Sequence, residues 1–152
     1  NNNEGMFLEL ADAYAIYHCP CSRTLPVGRP PQQYFDIEKI IFERIQNPIS
    51  MFKPGNTCAD LSDNFTATLK KYGYEKNNRC GYPIGLSYPP DWGERTMSLR
   101  GTDQTILQEN MTFHFMPAIW FDNWGFEMTE SIRVGENGGE CLSKVPRQLL
   151  VK

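Results

Sequence analysis

No stretch of the 152 residues approaches the roughly 20 consecutive apolar residues that a bilayer requires, so no membrane-spanning helix is predicted. There is no surplus of base either: 15 Lys and Arg stand against 18 Asp and Glu, a formal charge of −3, with a pI of about 5.4. Neutralising a phosphate backbone needs the opposite balance on one face, which argues against nucleic acid as a partner. The sequence is read as carrying no basic-then-apolar leader, and no internal repeat, low-complexity tract or linker is visible in it. An even cysteine count is also missing. Five cysteines cannot all pair within one chain, and a domain this long does not need them to, so reduced thiols and a cytoplasmic setting are expected.

Cys19 and Cys21 have only Pro20 between them, whereas zinc or redox pairs keep two residues between the sulfurs. Metal binding through that pair is not expected. Asn64-Phe65-Thr66 and Asn110-Met111-Thr112 fit the glycosylation acceptor pattern, which matters only after secretion.

What is present suits one globular domain. The residues are 40% hydrophobic and 22% charged, and at this length about two thirds of the unfolded chain's surface can be buried without a disulfide or structural metal. After the turn-type opening Asn1-Asn2-Asn3-Glu4-Gly5, the run Met6 to Ala11 reads as a buried strand with one carboxylate, Glu9, inside it. Further strands are predicted at Ala13 to Tyr17 and Ser22 to Val27, closed by Gly28-Arg29-Pro30-Pro31. Phe35, Ile37, Ile40, Ile41 and Ile45 recur at helical spacing, predicting an amphipathic helix that frays at Asn47-Pro48. A second helix, capped by Thr57 or Asp60, is predicted to about Tyr72 and stopped by Gly73. Gly81 to Gly85 and Tyr88 to Gly93 read as loops. The last third reads as strands at Met111 to Phe115, Phe126 to Val134 and Cys141 to Ser143, with a turn at Glu136-Asn137-Gly138-Gly139 and a terminal edge segment from Pro146 to Val151. Strands, two helices and strands again make an α+β domain.

Several side chains are candidates for chemistry. A carboxylate in an apolar run must be paired, hydrogen-bonded or protonated, so Glu9 is one candidate and solvent exposure on an edge strand is its alternative. Glu130, within Met128 to Ile132, poses the same question, and the two carboxylates are expected to converge on one cleft. His18 and His114 both lie among aromatics, where a hydrogen-bonded core role competes with catalysis. Tyr88, Trp92, Trp120 and Trp124 are candidates for an aromatic wall around a cation, or for simple packing. Arg23 is a candidate carboxylate clamp, or one half of a surface ion pair.

The order of segments then becomes informative: Phe7-Leu8-Glu9-Leu10-Ala11, Tyr17-His18-Cys19-Pro20-Cys21-Ser22-Arg23-Thr24, Gly81-Tyr82-Pro83-Ile84-Gly85, Pro89-Pro90-Asp91-Trp92-Gly93-Glu94, Asn110-Met111-Thr112-Phe113-His114, and Thr129-Glu130-Ser131 leading to Pro146-Arg147. This string resembles the pita-bread superfamily of creatinase, prolidase and methionine aminopeptidase over nearly the whole chain, and most closely its ectoine hydrolase branch. The resemblance implies an α+β fold of partial pita-bread type. The peptidases of that superfamily hold two metal ions with two Asp, one His and two Glu. The resemblance puts Glu9, Pro20, Tyr82 and Met116 at the first four ligand positions and Thr129 or Glu130 at the last. Proline has no side-chain donor and a thioether suits hard cations poorly, so no metal and no other cofactor is expected.

The resemblance further implies a metal-independent C–N hydrolase that opens a cyclic amidine, ectoine, to an acetylated diaminobutyrate. Its expected catalytic residues are Glu9, His114 and Glu130, and its expected substrate-binding residues are His18, Arg23, Tyr82 and Trp92. It also implies that the N-terminal half of the catalytic domain and the preceding domain of the family are absent from 1–152. A homo-oligomer or a partner chain is therefore expected to complete the fold around a small-molecule substrate. A catalytically inactive relic serving as an interaction or structural subunit is the alternative.

Overall fold

The structure, a computed structural model, describes residues 4–88 and 91–151, with only the backbone of Glu43 and Arg44. The Asn1 to Asn3 part of the predicted opening turn and the Pro89-Pro90 pair lie outside the described residues. Gly5–Tyr14 (β1) and Tyr17–Pro26 (β2) form one long hairpin, in antiparallel register from Gly5 opposite Pro26 to Tyr14 opposite Tyr17. Ala15 and Ile16 between them have φ of 48° and 63°, the left-handed geometry of a two-residue hairpin turn. That turn carries no Asn-Gly signal, so the three predicted short strands become two long ones. β1 is also less buried than its apolar run suggests, because one of its faces, with Met6, Leu8 and Leu10, is exposed.

Gln32–Ser50 (α1) buries Ile37, Ile41, Ile45 and Ile49, a stripe at four-residue spacing on a single face. The helix continues through Pro48 instead of fraying there. Proline costs a backbone hydrogen bond, but the stripe beyond it, Ile49 and then Phe52, is fully engaged in the core. Cys58–Lys70 (α2) opens with a capping box: the Asp60 amide donates to Thr57 Oγ1 at 3.1 Å and the Thr57 amide donates to Asp60 Oδ2 at 2.8 Å. Thr57 is the cap and Asp60 its reciprocal partner. The helix stops at Lys70, and the chain turns at Gly73 with φ of 78°.

The remaining strands are Gly81–Pro83 (β3), Thr112–Phe115 (β4), Ala118–Trp120 (β5), Gly125–Glu127 (β6), Glu130–Val134 (β7) and Gly139–Cys141 (β8). They form an antiparallel sheet of order β3-β4-β7-β8 and a β5-β6 pair. Gly81, predicted as loop, is a strand residue held so close to β4 that a Cβ there would lie 2.4 Å from the His114 carbonyl oxygen. The predicted single strand Phe126 to Val134 is two strands, broken at Met128-Thr129, where the Thr129 amide donates to the Ser22 carbonyl at 3.1 Å. Residues 142–151 carry no strand; the Leu149 amide instead donates to Glu38 Oε1 at 2.6 Å. The core lies between the helices and these sheets, with Phe52 and Phe65 against Phe115 at ring-centroid distances of 5.5 and 5.7 Å.

Candidate active site

Strand alternation decides which polar groups can meet. Glu9 faces Ser22 across the hairpin, so their side chains share one face, while Leu8 and Arg23 share the other. The Glu9 face looks toward β4 and the β6–β7 break. There Glu9 Oε1 comes within 3.8 Å of His114 Nε2, too far for a hydrogen bond. The Glu9 side chain remains 36% exposed, and its partial burial raises its pKa above the ordinary carboxylate value.

His114 itself is fully buried and satisfied at both nitrogens. Nδ1 lies 2.7 Å from Tyr82 Oη and Nε2 lies 2.6 Å from Thr129 Oγ1. Burial, with the Arg79 charge nearby, holds its pKa down at about 3, so the imidazole is neutral under ordinary conditions. On the Tyr82 side, Trp92 Nε1 donates to Tyr82 Oη at 3.0 Å and the Arg79 guanidinium sits 4.4 Å above the Tyr82 ring. These residues, with Asp91, Glu94 and Arg95, line an open depression of about 500 Å³. On the Thr129 side, Thr129 Oγ1 accepts from the Ser22 amide at 2.8 Å and lies 2.9 Å from Ser22 Oγ. Glu127 is buried, and its pKa is raised by that burial first and by the neighbouring Glu9 charge second, with Lys76 acting in the opposite sense.

The structure therefore brings together Glu9, His114, Tyr82 and Trp92 of the predicted site residues. Glu130 does not join them. Its Oε1 accepts from Arg23 Nη2 at 2.6 Å, on the other face of the hairpin from Glu9, and both partners are buried. Arg23 lies with Glu130, apart from Glu9. It does fix a carboxylate, but its remaining donors go to the carbonyls of Ser22, Thr129, Val145 and Pro146 and to Cys21 Sγ, so nothing is left for a substrate. His18 is buried on the same face of the hairpin as Glu9 and Ser22, two residue pairs further along, with Nδ1 3.1 Å from the Ile16 carbonyl. Of the proposed aromatic wall, Trp92 hydrogen-bonds Tyr82, Trp120 packs edge-on against Phe7 on the Glu9 face of the hairpin, Trp124 lies flat on Phe121 and Tyr88 is exposed. A second carboxylate whose pKa the Glu9 charge helps to raise is Glu127, which with Ser22 was not among the predicted site residues; Thr129 entered the sequence reading only as one of two choices for the last ligand position. A single strand from Phe126 to Val134 would put Glu127 and Glu130 on opposite faces and leave the choice open; the break at Met128-Thr129 settles it.

The residues at the ligand positions do not suit a pair of metal ions. Pro20 offers only its carbonyl, which accepts from Ser131 Oγ at 2.7 Å. Tyr82 and Thr129 are engaged with His114, and Met116 supplies a thioether. Among the described residues no three His, Cys, Asp or Glu side chains gather in a way that could hold an ion. At those positions Glu9 is the one carboxylate facing His114, Glu130 being held by Arg23; a phenol, a threonine hydroxyl and a thioether do not supply the further anionic oxygens that a dinuclear centre of hard cations requires.

The model of metallopeptidase family M24 matches residues 2–137. A protein of Halomonas elongata named ectoine hydrolase is 53% identical over 150 residues, covering 98% of this chain and 38% of that protein. The Xaa-Pro dipeptidase of Pyrococcus furiosus is 27% identical, over 94% of this chain and 40% of its own length. The crystal structure of the prolidase from Pyrococcus horikoshii superposes with a TM-score of 0.87 at 25% identity, over 99% of this chain and 43% of the prolidase. The architecture is thus the prolidase-like pita-bread fold in part, and the chain spans about two fifths of the length of these relatives. Among the described residues no helix is long and apolar enough to cross a membrane.

Proposed function

The chain belongs to metallopeptidase family M24, and from that membership and the chemistry of its cleft we propose that it carries part of the active site of a hydrolase that opens a C–N bond without bound metal. The observation that carries the reading is the donor set: a single half-exposed carboxylate, Glu9, beside a neutral, fully hydrogen-bonded imidazole. An amidinium is planar and cationic, and an exposed carboxylate is its natural partner. A cyclic amidine such as ectoine, the substrate in the name of the 53% identical relative, is the proposed substrate class.

In this reading Glu9 takes a proton from water as the water oxygen bonds to the amidine carbon. The carbon–nitrogen bond to one ring nitrogen then breaks as that nitrogen, protonated from the Tyr82 side of the cleft, leaves as an amine; the added hydroxyl becomes the amide carbonyl by giving up its remaining proton to solvent, and Glu9 releases the proton it took. The product is an acetylated diaminobutyrate, one water having been consumed. Burial that raises the Glu9 pKa brings it closer to the range where a general base is effective. Tyr82 and Trp92 shape the pocket. The polypeptide that completes the cleft is proposed to be the remainder of the family's fold, in the same protein or in a partner chain.

The test uses the full-length protein with ectoine, following substrate loss by NMR. Turnover that persists in EDTA and disappears in Glu9→Gln supports the reading. Turnover that requires added cobalt or manganese would restore a metal peptidase, and no turnover in the complete assembly would favour the non-catalytic alternative.

A further inference from the structure

A cavity of about 600 Å³ lies between α2, the segment leading into β3 and the turn at Arg100 to Thr102. Lys76, Arg79 and Arg100 line it against a single carboxylate, Asp63. A chain with a formal charge of −3 thus gathers three cations around one hollow. Neither Glu9 nor Tyr82 nor Trp92 lines it, so it adjoins the candidate active site at Arg79 without being part of it. We propose that this cavity binds a small oxyanion, the phosphate or carboxylate group of a ligand, with the Lys76 ammonium as its principal contact. Such binding is independent of the hydrolase reading.

The burial of Lys76 carries the assignment. The residue is 9% exposed, and its Nζ donates to a neutral acceptor, the Ala118 carbonyl, at 2.9 Å. Among the described residues no carboxylate makes an ion pair with that nitrogen. An ammonium has three donors, so the Ala118 bond leaves two N–H groups at the cavity wall. Taking such a charge out of water is costly unless an anion pairs with it. Cys80 and Glu127 favour its charged form from further off, but burial raises the pKa of each, which makes both weak counter-anions. The two arginines also have donors to spare. The Arg79 guanidinium, half-buried, lies 4.4 Å from the centroid of the Tyr82 ring, a contact that engages its face and leaves the N–H groups at its edge. Arg100, exposed, uses Nε on Ser98 Oγ at 3.1 Å and keeps both terminal nitrogens. Planar guanidinium forks match a pair of oxygens on one anion. Asn77 and Asn78 add neutral amide donors, and Met116 is the one large apolar side chain in the lining. Three positive charges repel a cationic ligand, and so little apolar wall gives a neutral hydrocarbon nothing to hold. Asp63, exposed on α2 beside Gly101, is the opposing charge in the lining.

The probes are inorganic phosphate and acetate, titrated separately into the full-length protein at an ionic strength held constant with sodium chloride. Binding is read by calorimetry and by the amide ¹H–¹⁵N shifts. At least one ion should saturate, with shifts at Asn77, Asn78 and Gly101, and the tighter of the two identifies the group as phosphate or carboxylate. Lys76→Met keeps the buried stem and removes the charge, and it should weaken binding roughly 30-fold or more. Arg100→Gln changes an exposed side chain that folding does not need, and it should weaken binding about 10-fold with an unchanged urea midpoint in chloride alone. The bound ion should raise that midpoint in the wild type and much less in Lys76→Met. Shifts no larger than chloride itself produces, or binding that survives both substitutions at full strength, would overturn the site, and the counter-anion of Lys76 would then have to come from the protein itself.

Discussion

Full burial leaves His114 no room for a second proton, and this has a measurable consequence for stability. Its folded pKa of about 3 lies below the ordinary imidazole value of 6.5. Between those values the unfolded chain binds a proton that the native state does not, so stability falls as pH falls, by about 1.4 kcal/mol per pH unit. Glu9 and Glu127, whose pKa values are raised, work in the opposite direction. The comparison that isolates the histidine is wild type against His114→Gln in urea titrations from pH 6.5 to 4: the variant should lack this part of the acid slope, and an unchanged slope would contradict a buried neutral imidazole. Glu130 gives a second residue-level prediction. Its contact with Arg23 is a buried ion pair, so Glu130→Ala should destabilise the protein by about 3–5 kcal/mol by leaving the guanidinium uncompensated. Chemical denaturation measures this, and a loss below 1 kcal/mol would show the pair to be dispensable. The sequence made both carboxylates visible as charges among apolar neighbours. It could not say which would be neutralised internally, because that depends on the hairpin register that puts Arg23 opposite Leu8 and Ser22 opposite Glu9.

Elements were legible wherever the signal was local. The isoleucine stripe of α1 and the Thr57–Asp60 cap of α2 are both encoded within one or two turns, and both form as their spacing suggests. Thr57→Ala should therefore cost about 1 kcal/mol, read as a lowered urea midpoint at constant m-value; no change would mean that tertiary packing alone holds that end. Elements went unread where a distant partner decides. The Ala15-Ile16 turn is forced by ten residues of pairing on either side of it rather than by a turn-forming dipeptide. The β6–β7 break exists because Met128 bridges to Arg23 while the Thr129 amide and hydroxyl are taken by Ser22. That break resets the alternation, and Glu130 beyond it turns to Arg23 instead of the Glu9 face. The family's order of segments was readable from sequence, but the identity of the second carboxylate was a property of the sheet.

At the scale of the whole molecule, β1 has two different faces. Phe7 and Glu9 turn toward the cleft side, where Phe7 meets Trp120 at a centroid distance of 4.8 Å. Met6, Leu8 and Leu10 turn the other way and are 49%, 44% and 63% exposed. Covering one such side chain is worth about 1.5–3 kcal/mol, so a row of three is a strong attractor for more polypeptide. The relatives have it to offer, since the chain matches only 38% of the length of the ectoine hydrolase of Halomonas elongata. If the remainder of the family's fold packs on this row, Leu10→Ala in the full-length protein should behave as a core truncation and cost about 2–5 kcal/mol. If the row stays in water, the same substitution should fall within about 0.5 kcal/mol of wild type. Urea unfolding of the full-length pair separates the two, and a near-neutral Leu10→Ala would mean that the cleft is completed from some other side of the hairpin.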